Sequence, residues 1–249
     1  MPIINIEEIE NESLPTQKPI KEIMSIKVPN MIDGIPNRNG MIWVLTGSGG
    51  SGKSSLLLNF FKSGKLFRNK YDNIYYICPE SSFDSVEKHP FTNHNKVYHD
   101  LTVELLSNIY NELVSNKKAC EDGQTEYNLV IIDDFADIMK DKNIVKILNK
   151  FLIKTRHLCV GFVFVLQSYY YFPKQLRKMI TNLTIFKPKS YAEWTSICSE
   201  VFDMSKEDSL ILYHYVYDQP YAHLDVDTID NTYYKNWNKL IITDSNDKI

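Results

Sequence analysis

The chain has 249 residues, 43% hydrophobic and 24% charged, which is the balance of an ordinary globular protein with one large or two small domains. Its net charge of -3 excludes a wholly basic surface, so any contact with nucleic acid requires a local patch. The longest apolar run, 159–166, is too short to span a membrane, and the acidic start does not resemble a secretion signal. The four cysteines are widely spaced, which favours a reducing compartment over a disulfide framework or a zinc site.

Proline and glycine interrupt the first 40 residues around one possible strand at 24–28, so this stretch is predicted to be an arm or extension. Residues 41–46 are apolar, β-branched and aromatic, and predict a buried strand. Residues 54–62 predict a helix packed on both sides, with Gly64 just beyond its end.

Strands and helices alternate along the rest of the chain. The predicted strands cover 73–78, 96–99, 127–132, 160–166, 183–186 and 221–226, and the predicted helices cover 101–117, 143–157, 191–202 and 205–217. Strands that are apolar throughout indicate a mostly parallel sheet with helices on both faces, a three-layer α/β fold. We expect an arm at 1–40, a core domain at 41–190 and a carboxyl-terminal extension packed on the core at 191–249.

A phosphate-binding loop follows the first core strand. Four of the nine glycines stand at 47, 49, 50 and 52, and the segment matches GxxxxGK[ST]. Glycines let backbone N–H groups face phosphate oxygens, Lys53 reaches the β- and γ-phosphates, and the Ser54 hydroxyl ligates Mg²⁺. A flexible linker is the alternative, but a linker does not join a core strand to a core helix. The predicted nucleotide-binding residues are Gly47, Ser48, Gly49, Gly50, Ser51, Gly52, Lys53, Ser54 and Ser55.

An acidic pair ends the apolar strand at 127–132. Asp133 is the expected metal-side carboxylate, and Asp134 is placed to polarise an attacking water, as a general base or as a group that orients it. The alternative is that the pair caps the next helix. Capping explains one carboxylate, but not a pair that ends a fully apolar strand downstream of a P-loop.

Gln167 ends the next apolar strand. The carboxyl end of a parallel strand lies at the crevice where ligands bind, so this amide is a candidate to contact the γ-phosphate or the water. The alternative is a glutamine that only faces solvent.

These motifs together resemble the FtsK/HerA superfamily. The order is a P-loop, an intervening strand, an acidic pair, Thr155-Arg156-His157, a strand ending in Gln167, and PxxLR at 173–177. Within the superfamily, the chain is most similar to the genome-packaging ATPases of large DNA viruses of eukaryotes and of virophages, over about residues 40–190. The resemblance implies a P-loop NTPase fold of the ASCE/RecA-like type, and an ATP- and Mg²⁺-dependent motor that moves double-stranded DNA into a capsid.

The resemblance also implies roles for single residues. Lys53 and Ser54 match the P-loop, Asp133 matches the Walker B aspartate, and Gln167 matches the strand-end glutamine. Asp134 stands where many members carry the longer glutamate. The family implies an arginine finger offered to a neighbouring subunit, for which Arg156 is the first candidate and Arg177 the second; the alternative is a surface or phosphate-binding arginine.

Packaging DNA requires cations along a channel, because phosphate contacts dominate nonspecific affinity. Two groups of basic residues are candidates, the first of them beside the aromatic run 169–172. The first group is Lys174, Arg177, Lys178, Lys187 and Lys189, and the second is Lys62, Lys65, Arg68 and Lys70. Each residue taken singly also fits a solvated charged face. The acidic amino-terminal segment is a candidate contact for a neighbouring subunit or a capsid component.

The function predicted from these observations is ATP hydrolysis coupled to packaging of double-stranded viral DNA. The resemblance implies a homo-oligomeric ring of five or six copies, a capsid or portal-vertex partner, and a location in the virion or in a viral factory in the host cytoplasm. A small-molecule or nucleoside kinase is the nearest alternative, although the chain lacks the clustered arginines of a kinase lid. A nucleotide-gated structural protein is the third possibility, and the acidic pair argues against it.

Overall fold

A computed structural model describes residues 34–119 and 126–242. The predicted strand at 24–28 and most of the predicted arm lie outside these ranges. The described strands are β1 (Ile42–Thr46), β2 (Asn73–Ile77), β3 (Val97–Tyr98), β4 (Asn128–Asp133), β5 (Val160–Leu166), β6 (Asn182–Phe186), β7 (His223–Asp227), β8 (Thr232–Lys235) and β9 (Asn238–Leu240). The α-helices are α1 (Lys53–Phe60), α2 (Glu80–Asp84), α3 (Val103–Ala119), α4 (Lys142–Leu152), α5 (Lys174–Arg177), α6 (Tyr191–Phe202) and α7 (Lys206–Val216), and short 3₁₀ turns cover Ile138–Lys140 and Tyr169–Tyr171.

All nine strands form one sheet in the order β3-β2-β4-β5-β1-β6-β7-β8-β9. The strands from β3 to β6 in that order are parallel, and the last three pairings are antiparallel. The P-loop strand β1 therefore lies between β5 and β6, with β5 separating it from β4. This order brings the carboxyl ends of β1, β4 and β5 together at one edge of the sheet.

Helices cover both faces of the sheet. Alternate residues of β1 belong to different cores: Ile42 and Val44 pack with α3, α4, α6 and α7, whereas Trp43 and Leu45 pack with α1. Strands β4 and β5 divide their side chains in the same way, which is why their sequences are apolar throughout. The predicted three-layer α/β fold with a mostly parallel sheet is confirmed.

The antiparallel end of the sheet was only partly predicted. Strand β7 begins at His223, two residues later than predicted, and the hairpin of β8 and β9 was missed. Lys235 pairs with Asn238, so Asn236 and Trp237 form a two-residue turn, with φ of 49° and 66°. Such turns favour Asn and Gly, and the tryptophan at the second position hides the signal.

The helix predicted at 143–157 ends at Leu152, so the sequence-based boundary was wrong by five residues. The Thr155 hydroxyl donates to the Leu152 carbonyl oxygen at 3.1 Å. This side-chain bond competes with the helical backbone bond, and the chain continues in turns to β5. Arg156 therefore lies in a turn rather than on a helix.

None of the helices in the described ranges is both long enough and apolar enough to cross a membrane.

Candidate active site

The P-loop joins β1 to α1 with a backbone that requires glycine. Gly47, Gly50 and Gly52 have φ of 149°, 74° and 100°, which side-chain-bearing residues rarely adopt. A Cβ on Gly47 would lie 2.6 Å from Cβ of Phe186, whereas one on Gly49 or Gly50 would meet no atom within 4 Å. The loop is thus pressed against β6 at its start and open where phosphates would approach.

Lys53 is buried at the first position of α1, with 7% of its surface exposed. Its Nζ donates to the carbonyl oxygens of Gly47 at 2.7 Å and Ser48 at 2.8 Å. Burial lowers its pKa, and the negative charges of Asp133 and Asp134 oppose that shift. The ammonium is therefore held inside the loop by short bonds, ready to neutralise a phosphate.

Asp133 is 3% exposed at the end of β4. Its Oδ1 accepts from the Ser54 hydroxyl at 3.4 Å, and its Oδ2 accepts from the Tyr76 hydroxyl at 3.0 Å. Burial raises the pKa of this carboxyl from 3.8 to about 6, although the Tyr76 bond opposes the rise. A nearby cation stabilises the ionised form of a carboxyl group whose pKa is raised by burial.

Asp134 has φ of 63°, a left-handed conformation that aspartate tolerates better than most residues. Its N–H donates to the Val165 carbonyl oxygen at 3.2 Å. Its Oδ2 accepts from the Ser82 hydroxyl at 2.8 Å, and its Oδ1 accepts from Nε2 of Gln167 at 3.0 Å. Two donors from two different elements thus hold the carboxylate beside the P-loop.

The positions of these polar groups argue against the alternative interpretations, helix capping by the acidic pair and a glutamine that only faces solvent. Helix α4 is capped by Asp141, whose Oδ1 accepts from the N–H groups of Asn143 and Ile144, so the acidic pair does not cap it. Gln167 is exposed, but it contacts Asp134 rather than solvent alone. One pocket joins these residues; its lining includes Gly49, Gly50, Lys53, Ser54, Tyr76, Ser82, Asp133, Asp134 and Gln167.

The residues present fit a nucleotide with Mg²⁺. The open glycines, the buried ammonium and the buried carboxylate with its raised pKa each match a component of such a ligand. The described residues contain no group of three His, Cys, Asp or Glu that could hold a metal by themselves. A P-loop needs no such group, because Mg²⁺ keeps several waters and takes other oxygens from phosphate.

Three contributors to the site were not assigned to it from the sequence. Tyr76 and Ser82 come from β2 and α2, and the sequence does not reveal that β2 lies beside β4. Lys189 was assigned to the DNA candidates, yet it follows β6 near the P-loop and its charge lowers the pKa of Lys53. The one signal for Tyr76 in the sequence is that it lies in a predicted strand with apolar residues on both faces.

Arg177, the second candidate finger, is held by contacts within its own chain. Its guanidinium donates to Glu200 at 2.9 Å and to the Phe172 carbonyl oxygen at 3.0 Å, and it lies 4.5 Å from the Tyr169 ring centre. Only 10% of its side chain is exposed. These contacts give it a structural role in this conformation.

Arg156, the first candidate, lies at the opposite edge of the sheet from the P-loop. It precedes β5, and its backbone packs against Gly40, just before β1. It is exposed, and within residues 34–119 and 126–242 its guanidinium makes no hydrogen bond or ion pair. It lines an open pocket with Thr155, His157, Lys178 and Thr181, among others.

The first group of DNA candidates does not form one patch. Lys178 lies in the pocket of Arg156, whereas Lys187 and Lys189 follow the other end of β6. Of the aromatic residues beside them, Tyr169 and Phe172 are buried in the core. The structure thus separates cations that adjoin in the sequence.

The sheet order and the P-loop geometry define the P-loop NTPase fold. The DNA-packaging ATPase B204 of Sulfolobus turreted icosahedral virus is similar, with a TM-score of 0.56 at 18% identity, over 83% of this chain and 100% of that chain. Its counterpart from Sulfolobus turreted icosahedral virus 2, in complex with ATP-gammaS, matches with the same TM-score and identity, over 82% of this chain and 100% of that one. EssC ATPases 2 and 3 of Geobacillus thermodenitrificans are similar with a TM-score of 0.55 at 15% identity, over 84% of this chain and 41% of that chain.

The family described as poxvirus A32 protein matches residues 37–249, and the chain belongs to that family. The predicted likeness to viral packaging ATPases of the FtsK/HerA superfamily is confirmed. A search of curated proteins found no significant match.

Proposed function

We propose that this protein is the ATPase motor that packages a viral double-stranded DNA genome. The observation that carries the proposal is the Asp134 carboxylate, which Ser82 and Gln167 hold beside the buried Lys53. A fixed carboxylate at this position suits activation of water. Membership of the poxvirus A32 family supports the same function, and so does the fold that the chain shares with B204.

Each residue of the site has a part in hydrolysis. Lys53 neutralises charge on the β- and γ-phosphates, and Ser54 and Asp133 stand where Mg²⁺ would be held. Mg²⁺, when bound, supplies positive charge to the phosphate oxygens. Asp134 accepts the proton of the attacking water, and Gln167 orients that water or contacts the γ-phosphate.

The kinase alternative lacks support. Acceptor phosphorylation requires a second substrate pocket and favours arginines over the phosphates. The chain has four arginines, and two of them are ion-paired within the subunit: Arg38 contacts Asp227 and Asp230, and Arg177 contacts Glu200. None of the similar structures described above is a kinase.

A homo-oligomeric ring would complete the site. Arg156 is exposed at the edge opposite to the P-loop, so a neighbouring copy could present it to this nucleotide, whereas Arg177 is occupied by Glu200. A trans arginine stabilises charge on the transferred phosphoryl group. Arg156 is therefore the proposed finger, and the chain supplies both halves of the composite site from opposite edges.

The remaining assignments follow from this function. Residues 41–190 form the ATPase core, 1–40 an arm and 191–249 an extension. The DNA path uses exposed lysines of the ring, and a capsid or portal-vertex protein receives the motor in the virion or in a viral factory of the host cytoplasm.

Steady-state ATPase activity tests the proposal. Turnover with Mg²⁺ is measured with and without linear double-stranded DNA, over a range of protein concentrations, with nucleosides as the alternative acceptor. We expect DNA to stimulate turnover more steeply as protein concentration rises, because the active site is shared between subunits. Turnover that responds to nucleosides but not to DNA would establish the kinase alternative, and slow turnover independent of DNA would favour a structural nucleotide-binding protein.

A further inference from the structure

Tyr221 is an unusual residue at the edge of the P-loop. Its φ is 63°, in the left-handed region that a bulky aromatic residue rarely adopts, and 71% of its surface is exposed. Its ring atom Cδ1 lies 3.4 Å from the position that a Cβ on Gly52 would occupy. A strained backbone thus holds an open aromatic ring against the residue that precedes Lys53.

The sheet topology explains this position. Strand β7 runs antiparallel to β6, and His223 pairs with Phe186, the last residue of β6. Phe186 in turn contacts Gly47. The turn before β7 therefore lies at the same edge of the sheet as the P-loop, on the side of β1 away from β4 and β5.

A nucleotide in this site has a defined direction. The groups that act on the γ-phosphate, Asp134 and Gln167, follow β4 and β5, on one side of β1. The nucleoside end extends away from these groups, and the strands on the other side of β1 are β6 and β7. Tyr221 is the exposed aromatic ring beside the P-loop on that side.

We propose that Tyr221 is the platform on which the base of the bound nucleotide stacks, an inference that rests on the proposed nucleotide-dependent function. The turn is braced for this role. The Tyr217 hydroxyl donates to the Ile185 carbonyl oxygen at 2.9 Å, and the ring centres of His223 and Phe186 lie 5.0 Å apart. Contacts on both sides of Tyr221 thus fix the ends of the turn that carries its left-handed backbone.

Stacking has a consequence for specificity. An aromatic ring recognises the face of a base, and every base has a π-face. Loss of the Tyr221 ring therefore weakens adenine and guanine nucleotides together. The same loss leaves the affinity for a triphosphate without a base unchanged.

The test is a calorimetric titration with Mg²⁺ and three probes: the non-hydrolysable analogues of ATP and GTP, and inorganic tripolyphosphate. Wild type is compared with Tyr221→Ala, Tyr221→Gly, Tyr221→Phe and Tyr221→Trp. Glycine removes the ring and favours the left-handed backbone, so it keeps the turn if alanine perturbs it. Tyr215→Ala is the matched control, because Tyr215 is 59% exposed on α7 and its ring contacts Lys235.

We expect Tyr221→Ala and Tyr221→Gly to weaken both analogues about tenfold. Tripolyphosphate binding is expected to stay at the wild-type value, the Phe and Trp variants to retain analogue affinity, and Tyr215→Ala to bind all probes normally. Wild-type analogue affinity in both truncations would overturn the stacking proposal. Equal loss of analogue and tripolyphosphate would also overturn it, because the residue would then act on the loop and not on the base.

Loss of nucleotide binding and loss of base stacking give different results in this titration. If wild type binds neither the analogues nor tripolyphosphate, the nucleotide-dependent function itself is wrong. If wild type binds all three and the truncations match it, only the role of Tyr221 is wrong.

Discussion

Charged side chains are buried at one edge of the parallel sheet, where the strands end, and exposed at the other edge, where the strands begin. At the carboxyl edge, Lys53 and Asp133 are buried and bonded to neighbours in the same chain, and Asp134 has two donors. At the amino edge, Arg156 and Lys178 are exposed around an open pocket. The contrast teaches that one edge builds a site for a small anionic ligand within a single chain, while the other edge presents cations outward, where a second molecule can use them.

The largest expected effect is at the carboxyl edge. Lys53→Ala removes the buried ammonium of the P-loop, so we expect turnover to fall at least about 10³-fold. Lys146→Ala, an exposed lysine on α4 outside both groups of DNA candidates, is the control and should turn over normally. Steady-state phosphate release measures both. Intact turnover in Lys53→Ala would show that the P-loop is not the hydrolytic site.

Arg156 tests the amino edge. Arg156→Ala should lower DNA-stimulated turnover about 10³-fold, at the low end for an arginine finger, without lowering the melting temperature. Mixing it with Lys53→Ala should restore turnover, because a Lys53→Ala subunit supplies Arg156 to the intact P-loop of its neighbour. If the mixture stays inactive, the arginine does not act between subunits.

Arg177→Ala is the matched comparison. It breaks the ion pair with Glu200 and the contact over the Tyr169 ring, so we expect a loss of about 2 kcal/mol in the free energy of unfolding. Thermal unfolding measures this loss, and mixing with Lys53→Ala should not rescue any accompanying loss of activity.

Asp134 separates binding from chemistry at the carboxyl edge. Asp134→Asn keeps the shape and can accept one of the two bonds from Ser82 and Gln167, but it removes the base, so kcat should fall about 10²-fold with nucleotide affinity unchanged. Asp134→Glu should retain more activity than Asp134→Asn, because it keeps a carboxylate. A fall in affinity equal to the fall in kcat would instead assign Asp134 to ligand binding.

Asp133 tests the energetic cost of a buried charge at the carboxyl edge. Burial raises the pKa of Asp133 from 3.8 to about 6, so the folded protein favours the protonated carboxyl more than the unfolded chain does. The free energy of unfolding therefore falls as pH rises from about 4 to 6, where the carboxyl ionises. Without Mg²⁺, Asp133→Asn should therefore be more stable than wild type at pH 7, by up to about 3 kcal/mol, while losing hydrolysis. The gain should shrink towards pH 5, where wild-type Asp133 is protonated. A gain that is constant over this pH range would contradict the assigned cause.

The parts of this site that the sequence predicts are those carried by contiguous residues. The P-loop is a local pattern, and Asp133 and Gln167 each end an apolar strand, so the parallel sheet alone brings them together. The hydroxyl of Tyr76 requires that β2 pair with β4, and the Ser82 bond requires the short helix after β2; no local pattern encodes either. The end of α4 at Leu152 coincides with the bond from the Thr155 hydroxyl to the Leu152 carbonyl oxygen, which periodicity does not register.

The outermost strands of the sheet have a consequence for assembly. Within residues 34–119 and 126–242, β3 has two residues and β9 has three, so both borders offer few main-chain groups for another strand to pair with. Short borders protect a sheet from edge-to-edge growth into aggregates. Copies of this chain in a ring would therefore meet through loops and helix faces, and such side-chain contacts can be remade in every cycle, unlike a shared ladder of backbone hydrogen bonds.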